Sequence, residues 1–246
     1  MLGRFLELSV ATGDIRASVD FYERLGFTQC VTNDIWSHPY GALTDGRIVI
    51  GLHQYRFESP SITFVRDGIA RHSGALEAVG VEFAFRRTGE DVFNEVGFRD
   101  PTGHMVTVLE ARTYSPAARG RDEASLCGDF AEYSLPARDF AAARRLWEAL
   151  GFVALDTGEA AAGTDRDRAP TWRRLPLTSD HLDLAFHAPR FFAQPLLVFG
   201  GFDAERRARL EAADLAFSDA LPPALDPARH ALLESPEGLA ILLSPD

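Results

Sequence analysis

The chain has 246 residues, 46% of them apolar, and a formal charge of -11. That length suits two average domains or one large one, and the apolar content suits ordinary cores. An acidic chain without a basic stripe points away from nucleic acid, and no apolar run approaches the roughly 18 residues of a membrane-spanning helix. Arg4 and Glu7 interrupt any leader-like start. Cys30 and Cys127 make no disulfide framework. These features predict a cytoplasmic protein in a reducing compartment.

In chain order, Phe5 to Val10 alternates like a strand. Asp14 is placed to cap a helix carrying Ile15, Val19 and Tyr22 at helical spacing, with Gly26 as its C-terminal stop. Phe27 to Thr32 predicts a second strand. Gly41 to Thr44 and Arg47 to His53 predict a hairpin around Asp45-Gly46. The order then repeats. Ser61 to Val65 is a strand, Ile69 to Val79 a helix, and Val81 to Arg86, Glu95 to Arg99 and Met105 to Glu110 are three further strands. Asp100-Pro101-Thr102-Gly103 has the composition of a type I turn.

The whole programme recurs. Phe5, Glu7, Ser9, Asp14 and the helix end Leu25-Gly26-Phe27 are matched by Phe130, Glu132, Ser134, Asp139 and Leu150-Gly151-Phe152 at a constant offset of 125. By His53 and His187 the offset is 134, which places an insertion at the Gly158 to Ala169 stretch, read as a loop. Asp180 to His187, Leu196 to Phe199, a helix over Arg206 to Ala213 and the turn Ser235-Pro236-Glu237-Gly238 continue the match, so a second set of eight strands is expected. A repeat of this length means a duplicated domain. The boundaries read as 1–113 and 126–246, joined by a polar linker over 114–125.

The segments "SVDFYERLGF" and "FRDPTGHMVTVLEA" at this separation resemble the glyoxalase/bleomycin-resistance/extradiol-dioxygenase superfamily, the vicinal oxygen chelate proteins. The resemblance spans both halves. It implies an α+β fold of two tandem glyoxalase-like domains, each a pair of βαβββ modules forming curled mixed sheets around a cup. It also implies a divalent metal held at four positions on the first and fourth strands of paired modules, usually by His, Glu or Gln. Carried over by position, those places are Phe5, Gly51, Ser61 and Thr107 in the first half, and Phe130, Ala185, Pro195 and Leu242 in the second. None is a strong ligand, so no metal and no other cofactor is expected at the usual site.

Residues two apart on a strand share a face. Moving two along from Phe5 and Gly51 gives Glu7 and His53, and the second half repeats the pair as Glu132 and His187. One reading is a buried hydrogen-bonded pair that fixes the sheet. Another is a polar hook at the cup floor that orients a ligand or moves a proton. A third is a relocated metal site. The segment Trp36-Ser37-His38-Pro39-Tyr40 supplies aromatic area with polar tips, and the second half has Pro170-Thr171-Trp172-Arg173-Arg174 in its place. Ser9, Ser61, Thr63 and Thr107 add hydroxyls to the first cup, whereas Pro195, Leu197 and Leu242 make the second more apolar or partly filled, with Ser134 as its polar remnant. His104, after a turn glycine, reads as exposed.

Two functions follow. One is a binding protein that holds a small organic molecule in the first cup without the usual metal, through Glu7, Ser9, Trp36, His38, Tyr40, His53, Ser61, Thr63 and Thr107. The alternative is a metal-dependent lyase, isomerase or ring-cleaving dioxygenase with a site shifted to Glu7 and His53, its third ligand His38. In either case Glu132, Ser134 and His187 are counterparts, and the second half is expected to be structural, in a monomer with internal pseudo-symmetry or a homodimer.

Overall fold

The structure, a computed structural model, describes residues 1–32, 36–110, 125–155 and 174–245. Nearly all of the linker, the 158–169 insertion and residues 170–173 lie outside them. The first half runs β1 (Arg4–Ala11), α1 (Ile15–Arg24), β2 (Thr28–Gln29), β3 (Tyr40–Thr44), β4 (Val49–His53), β5 (Ser61–Val65), α2 (Ile69–Ala78), β6 (Phe83–Arg87), β7 (Glu95–Arg99) and β8 (Met105–Leu109). The second runs β9 (Asp129–Pro136), α3 (Phe140–Ala149), β10 (Val153–Ala154), β11 (Arg174–Thr178), β12 (Asp183–His187), β13 (Leu196–Gly200), α4 (Ala204–Ala212), β14 (Ala231–Glu234) and β15 (Ala240–Leu243).

Two mixed sheets result, in the orders β2-β3-β4-β1-β5-β8-β7-β6 and β10-β11-β12-β9-β13-β15-β14. Modules pair within each half: β1 lies parallel to β4 and antiparallel to β5, and β5 lies parallel to β8. The Asp14 carboxylate accepts the amides of Arg16 and Ala17, and Asp139 that of Ala142, so the repeated aspartates cap α1 and α3. The second strand is shorter than expected, confined to Thr28–Gln29, with the Cys30 amide still bonded to the Ala42 carbonyl.

The eighth strand of the second half is absent among the described residues. Between α4 and β14, Pro222, Pro223 and Pro227 remove ladder donors. One contact of a ladder survives, the Ser218 amide on the Leu232 carbonyl. Leu221 and Leu225 of this segment turn instead onto β13 and β15, joining Phe192, Leu196, Val198 and Leu242 in a separate apolar cluster. No described helix is long and apolar enough to cross a membrane.

A single apolar core runs through both sheets. Phe27 and Phe199 meet edge to face with centroids 6.3 Å apart. The docking is reciprocal. Trp147 of α3, fully buried, donates its Nε1–H to Asp100 Oδ2 at 3.0 Å in the β7–β8 turn of the first half. Its repeat counterpart Tyr22 is buried against Ser235 and Glu237 of the β14–β15 turn. Burial pushes that phenol well above the usual tyrosine range, and its hydroxyl makes no hydrogen bond of normal geometry among the described residues.

Asp100 also accepts the amides of Thr102 and His104 and the Thr102 hydroxyl. Burial still raises its pKa above the ordinary carboxylate value. His104, expected to be exposed, is half-buried under Tyr133, with Nε2 3.3 Å from the phenol oxygen and its pKa pushed down by burial to about 3. The turn glycine that suggested exposure sits at the join between the halves.

Trp147→Phe keeps the ring and removes one donor from a buried carboxylate. It is expected to cost roughly 1–3 kcal/mol, read from urea unfolding.

Candidate functional site

The concave side of the first sheet holds the site, and a bulge sets its composition. Pairing of β1 with β5 shifts between Phe5 and Glu7, leaving Leu6 as the extra residue. Phe5 therefore turns to the core with Leu8 and Val10, where it meets Phe64 edge to face. Leu6 packs with Val65, Leu109 and Trp36. The sequence expectation that Phe5 and Glu7 share a face is corrected here, because alternation holds only for an unbulged strand. Glu7, not Phe5, is the first-strand residue that reaches Gly51. The same bulge recurs in β9, where Phe130 and Glu132 pair with Phe199 and Val198.

Gly51 is needed for that approach. A Cβ at this position would lie 2.0 Å from the Glu7 carboxyl carbon. The carboxylate thus occupies the space a side chain at Gly51 would take.

Glu7 is 1% exposed and survives there because donors surround it. Oε1 accepts from Ser9 Oγ and from His53 Nε2, each at 2.7 Å, and Oε2 accepts from the Tyr40 hydroxyl at 2.6 Å. With its Nε2–H committed, a neutral His53 presents Nδ1 as an acceptor, and His38 Nε2 lies 2.9 Å from it. The result is a chain, His38 to His53 to Glu7. Burial first, and the neighbouring His53 second, lower the pKa of His38, which keeps its ring neutral at pH 7.

A second polar line runs along β5 and β8. Ser9 and Thr63 hydroxyls are 2.7 Å apart, and those of Ser61 and Thr107 are 3.0 Å apart. Above them lies a cavity of about 190 Å³. Its walls are aromatic: Trp36, Tyr55, Phe57 and Phe85. Phe85 reaches it by lying flat over Gly97, where a Cβ would meet the ring at 2.1 Å. Tyr55 stacks on His38 with centroids 5.1 Å apart and planes 19° apart. Trp36 contacts His38, Tyr40 and His53, and its buried Nε1–H has no partner among the described residues.

Of the residues singled out in the sequence, Ser9, Trp36, His38, His53, Ser61, Thr63 and Thr107 line this cavity, while Glu7 and Tyr40 support it from beneath. Tyr55, Phe57 and Phe85 were missed. Their signal was weak, since isolated aromatics in loops and on β6 carry no pattern.

The partners of the buried glutamate differ in the second half. Arg174 stands on β11 opposite His187, as Tyr40 stands on β3 opposite His53. The longer cation reaches Glu132 Oε1 at 2.9 Å. His187 then uses Ser134 Oγ at Nδ1, 2.8 Å, and the Phe192 carbonyl at Nε2, 3.0 Å. The Glu–His pair expected in both copies is thus joined directly only in the first. Burial raises the pKa of Glu132 against the opposing pull of Arg174. Burial also lowers His187 to about 4.

The sequence resemblance implies a divalent metal, so fit matters. Four cup positions offer Glu7, Gly51, Ser61 and Thr107. Glu7 has both oxygens taken, the two hydroxyls bond each other, and Gly51 has no side chain. Glu7, His53 and His38 follow one another in a line instead of converging on a point. Among the described residues no group of three or more His, Cys, Asp or Glu is placed to hold a metal ion. These residues do not fit a divalent metal centre.

Gly51→Ala forces the Glu7 carboxylate from its donors and is expected to cost about 1–3 kcal/mol. Glu7→Ala in the same chain should recover part of that loss, a non-additivity read by a double-mutant cycle. In the second half, the unfolded chain protonates His187 near its ordinary 6.5 and the folded chain only near 4. Stability therefore falls as pH drops through that window, by on the order of 3 kcal/mol from this group. His187→Gln should flatten the slope of stability against pH there, leaving the part due to His104.

No protein-family model matches the sequence, and a search of curated proteins returns no match. Solved structures do match the fold. A catechol 2,3-dioxygenase aligns over 99% of this chain and 87% of its own at 14% identity, TM-score 0.58. A 2,3-dioxygenase from Pseudomonas sp. KL28 aligns over 99% and 92% at 14% identity, TM-score 0.59. A variant of homoprotocatechuate 2,3-dioxygenase from B. fuscum aligns over 98% and 70% at 14% identity, TM-score 0.59. At such identities the likeness is one of fold, and chemistry is decided by the site. With βαβββ modules paired in the first half and one strand fewer among the described residues of the second, this chain has the tandem glyoxalase-like fold of the vicinal oxygen chelate superfamily.

Proposed function

We propose that the protein binds a small, planar, oxygen-bearing organic molecule in the cup of the first sheet, without a divalent metal. One observation carries the reading. The floor of an aromatic-walled cavity is closed by a carboxylate whose oxygens already accept three donors, beside a glycine that leaves it room. Such a floor is a finished surface for a ligand to rest on. The walls suit a flat ring. Serine and threonine hydroxyls along β5 and β8 supply orientation, as pockets of this kind do with a few placed polar groups. Catechol, which appears in the names of fold neighbours, is a molecule of this size and shape.

The second half is, on this reading, a structural partner. Its cup face is filled by Phe192, Leu221, Leu225 and Leu242. It covers the apolar surface that Trp147, Phe199 and Phe27 share, and the chain acts as a monomer with internal pseudo-symmetry.

The dioxygenase names of the fold neighbours favour a second reading, a metal enzyme with its ligands drawn from Glu7, His53 and His38. It requires those side chains to leave their mutual hydrogen bonds.

Elemental mass spectrometry separates the two. After exposure to Zn, Fe(II), Ni, Mn or Co and desalting, metal is expected to stay far below one ion per chain. A stoichiometric ion that disappears in Glu7→Gln or His53→Ala would overturn the proposal. A thermal-shift and tryptophan-fluorescence screen of planar aromatic and polyketide-like compounds is expected to give at least one ligand that quenches Trp36. Loss of the quench in Trp36→Phe assigns it to the cup.

A further inference from the structure

The hydrogen-bond chain at the cup floor has a direction. With the Glu7 carboxylate accepting His53 Nε2–H, a neutral His53 has only a lone pair at Nδ1 to offer, and His38 Nε2–H is the donor to it. That fixes the tautomer of His38 and leaves its Nδ1 a lone pair. No described residue bonds Nδ1, on a ring that lines the cavity. A base oriented by a second group that is itself held by a carboxylate is the arrangement of an activated proton acceptor.

We propose that His38 is the proton acceptor of the cup, for a ligand bearing a phenolic or enolic hydroxyl, with His53 and Glu7 as positioning residues. This rests on the first-cup binding reading and names the ligand class. In the step, the ligand O–H bond breaks and its electron pair stays on the ligand oxygen. The proton forms a bond to His38 Nδ1. The resulting positive charge is shared across the two imidazoles and faced by the Glu7 carboxylate. No oxidant, reductant or co-reactant takes part.

The charged and titratable groups around His38 support that direction of transfer. Beneath it are His53, Glu7 and Tyr40, and Tyr55 covers its face. Glu58 and Glu95 reach the cavity wall, each already paired, with Arg99 and Arg87. Among the described residues, no lysine or arginine lines the cavity. A ligand anion there has no fixed cation to stabilise it, so burial alone would keep a phenol neutral. Ionisation of a bound phenol therefore reports on His38. Besides the Trp36 Nε1–H, the anion has one hydroxyl donor waiting. Ser61 and Thr107 share a single hydrogen bond between two hydroxyls, so one hydroxyl hydrogen remains to point at a ligand oxygen.

The probe is 4-nitrophenol, whose anion absorbs apart from its neutral form. It is titrated with pH in the presence of excess full-length protein. In the wild type the bound probe's apparent pKa is expected to fall by about one to two pH units. In His38→Asn, whose half-exposed position spares the fold, that fall is expected to vanish. In Glu7→Gln, checked for folding by its thermal midpoint, it is expected to shrink. A purely structural His38 would leave the probe's ionisation where it was.

Three results would overturn the inference while leaving the cup reading intact. The probe binds with an unchanged or raised pKa; the fall persists in His38→Asn; or 4-nitrophenol does not bind a protein that binds other planar aromatics. If no planar aromatic binds and nothing quenches Trp36, the cup reading itself falls, and the inference with it.

Discussion

A carboxylate at 1% exposure must find donors or lose its charge, and Glu7 organises the first half around that need. Ser9 comes from its own strand, His53 from β4 and Tyr40 from β3. Three strands are tied to one side chain. The requirement reaches further, because Gly51 must lack a side chain and Leu6 must bulge for Glu7 to face inward at all. His38 is then held by His53, and Trp36 by both. The cavity wall is a consequence of how one buried charge is satisfied.

The second half shows what happens when one of those donors changes. Arg174 replaces the short neutral phenol with a long cation, and Glu132 needs no imidazole once a guanidinium reaches it. His187 is released to the Phe192 carbonyl, which draws the Phe192 loop over the cup. Leu221 and Leu225 complete the filling. Two copies with the same Glu and His thus differ as a hollow and a plug, set apart by Arg174 and by the apolar Leu221, Leu225 and Leu242.

Much of this was legible in the residues. The 125-residue offset gave the duplication, and the Asp14 and Asp139 caps, the Asp100 turn and β5 and β7 fell where spacing placed them. The first-strand register did not, since a bulge has no compositional mark at Leu6 and flips the face of everything before it. The missing eighth strand was foreshadowed by Pro222, Pro223 and Pro227, whose lost donors outweigh the analogy with the first half. His104 was misplaced because exposure at a turn depends on what docks there, and local sequence holds no record of Tyr133. Glu7 and His53 were found together because the repeat carried both, while the divergence of Glu132 and His187 turned on Arg174, at the edge of the described residues.

The reciprocal docking of Trp147 on Asp100 and Tyr22 against Ser235 has a consequence for how the molecule comes apart. Each half buries its largest fully buried side chain in the other's final turn, and one core is continuous between them. Neither sheet has a complete interior of its own. Heat or denaturant therefore meets a single cooperative unit instead of two beads on a string. The hollow half keeps its shape partly because the plugged half completes the core behind it.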